Sequence, residues 1–295
     1  MYYTNDTILF LNGKFMKVVD AHSDLFSQTL HYGFGVFEGI RAYQSMNGAK
    51  IFKAQEHFDR LKESCALIGI PFQYKTADLI QIAYQLLEKN NLSDAYIRPL
   101  VYCPPNMTLT QPQDSSLMMC VWEWDKYHGD RMLRLCLSSY QRPNPNSVKV
   151  NAKVVGNYVN SILATSEART RGYDEALMLD MNGFIAQTPA ANFFMEKDGV
   201  LYTPPPGHIL TGVTRHVVFS ICKELDIPVI EKNIRREELE SADSAFLCGT
   251  AAEIAGVESV DAKPFRLDWF DSLGASIQEA YKCQVREKSF SYVII

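Results

Sequence analysis

Short apolar runs and tight turns alternate over residues 175–202, which read EALMLDMNGFIAQTPAANFFMEKDGVLY. Two dipeptides in this stretch, Asn182-Gly183 and Asp198-Gly199, favour the tight turns that join antiparallel strands. Strands this closely spaced predict a curved or barrel-like sheet with helices packed outside it. Four runs have the length and apolar content of strands: Glu175–Leu179, Phe184–Ala186, Asn192–Glu196 and Val200–Tyr202.

Helical patterns precede and follow this run. Over Asn157–Arg171, the residues Val159, Ile162 and Leu163 are spaced for the apolar face of an amphipathic helix. A second helix is predicted to begin near Thr214, and a last one covers Trp269–Lys282. Strands are predicted at Met132–Ser138 and Ala245–Leu247.

The first 124 residues mix strands with helices. Asn12-Gly13 lies between two short apolar runs and predicts a hairpin of Ile8–Leu11 and Lys14–Val18. Helices are predicted at Glu56–Ile68 and Thr76–Lys89, and strands at Tyr96–Tyr102 and Leu117–Trp124.

The length of 295 residues indicates about two domains. A polar segment containing Gly129 separates the two halves of the pattern. We therefore expect an N-terminal α/β domain over 1–124, a linker over 125–131 and a C-terminal barrel-like domain over 132–295.

Composition excludes several classes of protein. Hydrophobic residues make up 47% and charged residues 21%, as in an ordinary globular protein. The net charge is −5 and no Lys/Arg cluster stands out, so neither nucleic acid nor an anionic membrane is expected as a partner. The longest apolar stretch, Leu117–Trp122, is too short to span a bilayer.

Two features predict a cytoplasmic protein. The N-terminus shows no basic segment followed by an apolar one, so no secretory signal is expected. The seven cysteines form no C-x-x-C pair, and we interpret them as reduced core residues in a reducing compartment.

Known motifs of metal, nucleotide and serine-hydrolase sites are absent from the sequence. Gly33–Gly39 resembles a dinucleotide fingerprint, but its third glycine comes one residue late. No metal site is expected.

Lys153 lies within an alternating segment, Val148–Val154. If this segment is a strand, Lys149, Asn151 and Lys153 share one face. A partly desolvated lysine would have a lowered pKa and an amine able to form a Schiff base, whereas a lysine on a solvated strand face would have no special chemistry. The spacing alone leaves both interpretations open.

Two Gly-Thr turns are candidate anion sites. Leu210–Arg215 leads into the predicted helix, whose first backbone N–H groups suit a phosphate. Cys248–Glu253 is a second such turn after a strand. Each turn by itself is also compatible with a plain helix cap.

Seven stretches, taken in order, match a known family: His31–Tyr43, Glu56–Leu61, Ala95–Leu100, Lys153–Tyr158, Gly172–Leu177, Leu210–Arg215 and Gly249–Glu253. On these stretches the chain resembles the branched-chain amino-acid aminotransferases, within the class IV aminotransferases, which are fold-type-IV pyridoxal 5′-phosphate enzymes. The resemblance covers nearly the whole chain. It implies a two-domain α/β (α+β) fold, with a smaller N-terminal domain, a larger barrel-like domain and the cofactor between them.

The resemblance also implies an activity and partners. The expected reaction transfers an amino group between Leu, Ile or Val and 2-oxoglutarate. Small amino acids and 2-oxo acids are therefore the expected substrates. Family members are homodimers or larger assemblies, and the loop Cys103–Thr108 is a candidate interface contact.

The same resemblance implies roles for individual residues. Lys153 would form the Schiff base and move the proton between the substrate α-carbon and the cofactor. The phosphate would be held by Arg60, Val213, Thr214 and Thr250, and the phenolic oxygen by Tyr158. The substrate side chain would meet Tyr32, Phe37, Tyr96, Trp124 and Tyr127. Arg41 and Arg98 would lie on the substrate side, with Arg98 on the distal carboxylate of glutamate and Ala251 facing the substrate carboxylate.

The chain departs from the family pattern at one position. Gln187 stands where the family has a glutamate that keeps the pyridine nitrogen protonated. A glutamine can hydrogen-bond this nitrogen but brings no negative charge, which weakens the ring as an electron sink. Thr188-Pro189-Ala190-Ala191 also replaces the glycines common after that glutamate.

Several interpretations follow from this departure. The enzyme is either a branched-chain aminotransferase of ordinary or reduced rate, or a related enzyme such as a D-amino-acid aminotransferase or an aminodeoxychorismate lyase. A third alternative is a catalytically weakened cofactor-binding protein.

Overall fold

The structure is a computed structural model that describes residues 2–46, 48–124 and 131–286. The chain forms two compact units. Unit 1 comprises Met1–Asp125 with Ala152–Asn157, and unit 2 comprises Lys126–Asn151 with Tyr158–Ile295. The expected domain limits had placed 152–157 in the C-terminal domain, whereas the backbone contacts group it with unit 1. Residues 125–130 of the expected linker, including Tyr127, lie outside the described residues.

Unit 1 is built on one antiparallel sheet. The strands among its described residues are β1 (Ile8–Leu11), β2 (Lys14–Lys17), β3 (Gly35–Phe37), β4 (Ile40–Ser45), β5 (Gly48–Ile51), β6 (Ala95–Tyr102) and β7 (Ser116–Glu123). Its α-helices are α1 (Gln28–Tyr32), α2 (Ala54–Ile68) and α3 (Thr76–Lys89). The strand order is β2-β1-β7-β6-β4-β5, and β3 also pairs with β6.

The first hairpin and the two long helices of unit 1 confirm the sequence prediction. Asn12 and Gly13 have φ values of 45° and 88°, the positive values that a two-residue type I′ turn requires. Phe58 and Leu61 of α2 are fully buried, as is Leu79 of α3. Burying one such side chain contributes about 1.5–3 kcal/mol, so the apolar stripes of both helices hold them against the sheet.

Unit 2 contains a closed ring of strands. The strands among its described residues are β8 (Leu133–Leu137), β9 (Glu175–Leu179), β10 (Ile185–Gln187), β11 (Asn192–Lys197), β12 (Val200–Thr203), β13 (Val229–Glu231), β14 (Ser244–Gly249), β15 (Glu253–Val260) and β16 (Lys263–Pro264). The order β10-β9-β8-β15-β14-β11 closes because β10 pairs with both β9 and β11. This closure confirms the predicted barrel-like sheet.

Three longer helices accompany this sheet in the described part of unit 2: α4 (Tyr158–Thr170), α5 (Val213–Glu224) and α6 (Leu273–Val285). In α5 the predicted apolar face is buried, with Val218, Ile221 and Cys222 fully covered. Phe193, Met195 and other apolar side chains of the strands form a separate core cluster.

The predicted helix α4 forms, but its buried face differs from the expected apolar face. Val159 and Ile162 are 61% and 63% exposed. Ser161, Ala164 and Ala168 are the buried residues instead. Helix α4 packs against β9, and small side chains on the buried face let the two elements approach closely. The larger apolar side chains therefore lie on the outer face of the helix.

Among the described residues, no helix is long and apolar enough to cross a bilayer. In the same residues, no group of three His, Cys, Asp or Glu side chains is placed to hold a metal ion. All seven cysteines are free thiols, and five of them are buried. Burial raises the pKa of the Cys65 thiol to about 12, which leaves it protonated and unreactive at neutral pH.

Candidate active site

The segment that carries Lys153 is not a strand. Within it, only Val154 makes a β-bridge, to Val36 of β3. The backbone N–H of Lys153 donates to Ser64 Oγ at 3.1 Å, and its carbonyl accepts from the Phe37 N–H at 3.1 Å. The segment 148–154 therefore does not form the strand that its alternation allowed, and single bonds to α2 and β3 anchor it instead of a ladder. Those bonds hold the Lys153 backbone from two sides.

Two glycines bring this segment close to the end of α1. Gly33 adopts a φ of 67°, and a Cβ on it would lie 2.7 Å from the Cα of Gly156. The Gly156 N–H donates to the Gly33 carbonyl at 2.9 Å. Such an approach excludes a side chain at Gly33, and it fixes the turn that follows Lys153.

The side chain of Lys153 lies against an aromatic ring. Its Nζ is 4.9 Å from the centroid of the Phe37 ring, and the residue is half-buried. Neither interpretation of the sequence describes this position fully, since the amine is partly desolvated yet does not lie on a strand. Arg98 stacks on Phe37 as well, with its Cζ 4.7 Å from the ring centroid. Both cations are therefore attracted by the ring face.

A buried carboxylate holds Arg60. Glu38 is fully buried and binds the guanidinium in a bidentate manner, through Nε at 2.7 Å and Nη2 at 2.9 Å. His57 Nδ1 donates to the same carboxylate at 2.9 Å. Burial by itself would raise the pKa of Glu38, but the charge of Arg60 and the bonds from His57 and Arg60 hold that pKa well below its usual range. Burial, offset only in part by Glu38, lowers the pKa of His57.

The hydrogen bonds among Glu38, His57 and Arg60 hold the guanidinium of Arg60 in one position in unit 1. An ionised Glu38 neutralises part of the charge of Arg60 and orients its planar fork. Because its pKa is lowered, His57 stays neutral at pH 7, and its Nδ1–H donates to Glu38. The structure therefore places the predicted phosphate ligand Arg60 on a rigid support.

Aromatic side chains cluster beside Arg98. The Tyr96 ring lies 5.1 Å from the ring centroids of both Trp122 and Trp124. Tyr96 and Trp122 face each other across β6 and β7, and Trp124 follows two residues later on the same face. Arg98 Cζ stacks on Tyr96 at 5.3 Å and on Trp122 at 5.7 Å. The structure thus brings together Phe37, Tyr96, Trp124 and Arg98, four of the residues assigned to the substrate side by the resemblance.

Arg41 and Tyr32 are placed differently from this cluster. Arg41 is buried, with its Cζ 5.0 Å from the Tyr43 ring, and its Nε and Nη1 have no hydrogen-bond partner within the described residues. Tyr32 is 45% exposed and donates to the Met107 carbonyl at 3.2 Å. Tyr127 lies outside the described residues.

In unit 2, two side-chain amides bind the backbone of one residue, Leu210. Gln187 is 4% exposed, and its Oε1 accepts from the Leu210 N–H at 2.8 Å. Asn192, paired with Gln187 across β10 and β11, donates from Nδ2 to the Leu210 carbonyl at 3.0 Å. Because both sides of Leu210 are bonded, the turn that leads into α5 has a fixed position.

That turn delivers the N-terminus of α5. Gly212 is the N-cap residue and has no side chain to cap the helix, so among the described residues the helix begins with the backbone N–H groups of Val213 and Thr214. A Cβ on Gly212 would lie 2.3 Å from Asn192 Oδ1. These N–H groups lie at the turn that the sequence analysis proposed as an anion site, and free N–H groups at a helix N-terminus suit a phosphate.

The second Gly-Thr turn joins β14 to β15. Gly249 pairs with Glu253, so Thr250 and Ala251 occupy the tip of a tight hairpin. A Cβ on Gly249 would lie 3.2 Å from the Ala190 carbonyl, which places this turn beside the β10–β11 connection.

Tyr158 begins α4 and is half-buried. The nearby Arg142 is buried, and its burial lowers its pKa. Arg142 Nε has no hydrogen-bond partner within the described residues.

Four residues that contact the predicted site residues, directly or through another of the four, were not predicted from the sequence: Glu38, His57, Trp122 and Ser64. Glu38 and His57 lie within matched stretches, and a charge in the apolar run around Glu38 was a usable signal. Trp122 was detectable by its two-residue spacing from Trp124. Ser64 gave no signal, because its contact with Lys153 joins residues far apart in sequence.

Comparisons with known proteins agree with this geometry. A sequence model of the family described as "Amino-transferase class IV" matches residues 35–260. The branched-chain-amino-acid aminotransferase of Escherichia coli (strain K12) is 40% identical over 261 residues, covering 86% of this chain and 84% of that protein.

Solved structures give the same result. A branched-chain aminotransferase from Thermoproteus uzoniensis, solved with norvaline, has a TM-score of 0.92 and 36% identity, and the match covers 96% of both chains. A branched-chain amino acid aminotransferase from Thermobaculum terrenum, solved in its PLP-form, has a TM-score of 0.90 and 30% identity, covering 97% of this chain and 96% of that one. These relatives support the branched-chain interpretation over the alternatives that Gln187 had left open. The chain belongs to the class IV aminotransferase family.

Proposed function

We propose that this protein transfers the amino group between the branched-chain L-amino acids leucine, isoleucine or valine and 2-oxoglutarate, with pyridoxal 5′-phosphate as cofactor. The names of its relatives support the reaction, and the PLP-form in which one of them was solved supports the cofactor. The observation that carries the proposal is the half-buried amine of Lys153. Its backbone is bonded to Ser64 and Phe37, and its Nζ lies 4.9 Å from the Phe37 ring centroid.

The described residues fit this cofactor and its substrates. Buried N–H groups of Arg41 and Arg98 have no hydrogen-bond partner among the described residues, which is typical of a site built for anionic groups. The uncapped N-terminus of α5 suits a phosphate. When bound, pyridoxal phosphate supplies an electron sink for the pair of electrons left at the substrate α-carbon.

Each residue then has a defined task. Lys153 binds the cofactor through Nζ, and it holds the proton that leaves the substrate α-carbon. Glu38 orients Arg60 toward the phosphate. The remaining cofactor contacts come from Val213, Thr214 and Thr250 on the phosphate, Tyr158 on the phenolic oxygen and Gln187 on the ring nitrogen.

The aromatic cluster determines which substrates bind. Phe37, Tyr96 and Trp124 offer an apolar wall that excludes water and accepts a branched aliphatic side chain. Arg98, held flat by the rings, binds the distal carboxylate of the acidic co-substrate. The remaining substrate contacts are assigned to Arg41, Ala251, Tyr32 and Tyr127.

An exposed apolar surface supports a homodimer or larger homo-oligomer. It consists of Leu25, Phe26, Leu30, Tyr32, Met107 and Leu109, of which Leu109 is 89% exposed. Hydrogen bonds from Gln28 to the carbonyls of Thr108 and Thr110 join its two parts. Apolar patches of this kind usually mark interaction sites.

The free cysteines support a cytoplasmic location. Residues 125–131 remain our proposed linker.

The test measures glutamate formed from leucine and 2-oxoglutarate by the purified protein. Lys153→Ala is expected to lose activity by about 10³-fold or more, because both the cofactor bond and the proton acceptor are removed. Lys149→Ala is the matched control, since Lys149 is an exposed lysine of the same segment. Borohydride reduction should fix the cofactor mass on the peptide containing Lys153. Equal activity of both variants, or a label on another peptide, would refute the proposal.

A further inference from the structure

The amide of Gln187 has a fixed orientation. Its Oε1 accepts from the Leu210 N–H at 2.8 Å, and its Nε2 donates to the Thr188 carbonyl at 3.0 Å. A backbone N–H needs an acceptor and a carbonyl needs a donor, so the amide cannot be turned over without losing both bonds. A primary amide has two N–H groups, and the described residues use one of them. One N–H of Gln187 therefore remains for a ligand.

The turn after Gln187 sets the direction of the Thr188 carbonyl independently. Thr188 and Ala191 close the turn with bonds from the Thr188 N–H to the Ala191 carbonyl and from the Ala191 N–H to Thr188 Oγ1, both 3.0 Å long. Pro189 confines the preceding residue to an extended backbone. Ser161 Oγ of α4 also donates to the Pro189 carbonyl at 3.0 Å.

This rigid turn discriminates between an amide and a carboxylate. A glutamate in the place of Gln187 would set an anionic oxygen against the Thr188 carbonyl oxygen, at the 3.0 Å now spanned by a hydrogen bond. Two acceptors at that distance repel each other, and burial strengthens the repulsion. The Thr188–Ala191 sequence and Gln187 thus depend on each other.

The charge around Gln187 also favours a neutral partner. None of the described groups hydrogen-bonded to Gln187 is a carboxylate. A protonated ring nitrogen bound at Gln187 would find no carboxylate among these hydrogen-bonded groups to balance its charge, and an unbalanced charge away from water is costly. An unprotonated ring nitrogen is a hydrogen-bond acceptor, and the remaining N–H of Gln187 matches it.

We propose that Gln187 donates a hydrogen bond to the ring nitrogen of the cofactor and keeps that nitrogen unprotonated, and that the Thr188–Ala191 turn selects an amide at this position. The proposal rests on the proposed function, because it assigns Gln187 to the cofactor ring. It makes this chain a class IV aminotransferase that works with a weaker electron sink.

The primary test is ¹⁵N NMR of the holoenzyme loaded with pyridoxal phosphate labelled at the ring nitrogen. We expect the resonance at the position of a hydrogen-bonded, unprotonated pyridine near pH 7. A resonance at the pyridinium position would overturn the inference and leave the proposed function intact. Failure of the labelled cofactor to bind at all would instead refute the proposed function.

Two variants test the two parts of the inference. Gln187→Leu removes the donor, so the resonance should move toward that of a pyridine without a hydrogen bond, and the cofactor Kd should rise about tenfold. An unchanged resonance would show that Gln187 is not the donor. Should this variant fail to fold, the wild-type spectrum still decides the protonation state.

Gln187→Glu tests the selection by the turn. We expect its cofactor Kd to rise about tenfold, because the carboxylate meets the Thr188 carbonyl. The matched control is Gln28→Glu, since Gln28 is also buried and donates from Nε2 to the Thr110 carbonyl at 2.8 Å. Its cofactor Kd should stay within about twofold of wild type. A Gln187→Glu protein that binds the cofactor as tightly as wild type would overturn this part.

Discussion

Units 1 and 2 hold their candidate site residues by different physical means. In unit 1, the ionised Glu38 fixes Arg60 through two charge-assisted bonds inside the protein. In unit 2, the neutral amides of Gln187 and Asn192 fix the backbone N–H and carbonyl of Leu210. A buried ion pair fails severely when one charge is removed, whereas neutral hydrogen bonds contribute about 1 kcal/mol each and fail in small steps. The stability of unit 1 should therefore depend strongly on the charges of Glu38 and Arg60. In unit 2, the loss of one hydrogen bond to Leu210 should change stability only slightly and act mainly by shifting the position of the turn.

Glu38→Gln should give the largest effect, because it removes the fully buried counter-charge of Arg60, whose side chain is only 13% exposed. We expect a loss of about 3–5 kcal/mol in the free energy of unfolding, measured by urea denaturation. Glu56→Gln is the control, since Glu56 belongs to the same helix as Arg60 and pairs with Lys53 at 2.9 Å in an exposed position. That pair should contribute at most about 1 kcal/mol. Similar losses for the two variants would contradict the charge-based description of unit 1.

Gly33→Ala should have the next largest effect. The new Cβ would meet the backbone of Gly156 at 2.7 Å, so the Lys153 segment must move. We expect a loss of about 2–3 kcal/mol by urea denaturation, together with lower transaminase activity. Gly13→Ala is the control, because Gly13 also has a positive φ but faces open space, and only strain of about 1 kcal/mol is expected. Full activity of Gly33→Ala would show that the glycine contact does not position Lys153.

Asn192→Ala tests the neutral support in unit 2. It removes one bond to the Leu210 carbonyl, so we expect a loss of about 1–2 kcal/mol and a cofactor Kd raised several-fold. Asn160→Ala removes a similar bond, from Nδ2 to the Gln141 carbonyl at 3.0 Å, outside the turn. Calorimetry should show weaker cofactor binding for Asn192→Ala only. A loss as large as that of Glu38→Gln would remove the contrast between the units.

Glu175→Gln should have the smallest effect and the opposite sign. Burial raises the pKa of Glu175, and the hydrogen bonds from the Ala176 N–H and Thr165, which lower it, offset this only in part. The carboxylate charge of Glu175 therefore destabilises the folded protein at pH values above its pKa. A glutamine keeps both bonds without the charge, and at pH 7 we expect a gain of up to about 1 kcal/mol that disappears on acidification.

The stabilisation by Glu38 has the reverse pH dependence. Since its pKa is lowered, that stabilisation is present above about pH 4.3 and is lost as the pH falls through the folded-state value.

Denaturation of Glu175→Gln at pH 7 and pH 4 measures this difference. Glu237→Gln, at an exposed glutamate of unit 2, should change neither value. A loss of stability for Glu175→Gln at pH 7 would contradict the sign of the expected effect.

Local sequence signals predicted most elements of the fold. Asn12-Gly13 and Asp198-Gly199 specify turns by backbone conformation alone, and both turns form with positive φ. The helical spacing in α5 gave the correct buried face. Such features depend on neighbours within a few residues, which is why the sequence reveals them.

Features set by packing between distant segments could not be predicted. The buried face of α4 depends on how closely Ala164 and Ala168 approach the sheet. Lys153 takes its position from Ser64 and Gly33, which precede it by many residues. The resemblance supplied the site residues, but the clamp of Gln187 and Asn192 on Leu210 became visible only in three dimensions.

The assignment of Ala152–Asn157 to unit 1 has a consequence for synthesis on the ribosome. A nascent chain that has emerged through β7 contains every strand of the first sheet but still lacks the lysine. The hydrogen-bond partners of the Gly33 carbonyl and the Phe37 N–H are the Gly156 N–H and the Lys153 carbonyl, which are translated only after β8. The Lys153 segment is thus the last part of unit 1 to be translated, so an unfinished polypeptide cannot yet hold the amine that we propose as the cofactor-binding group in its final position.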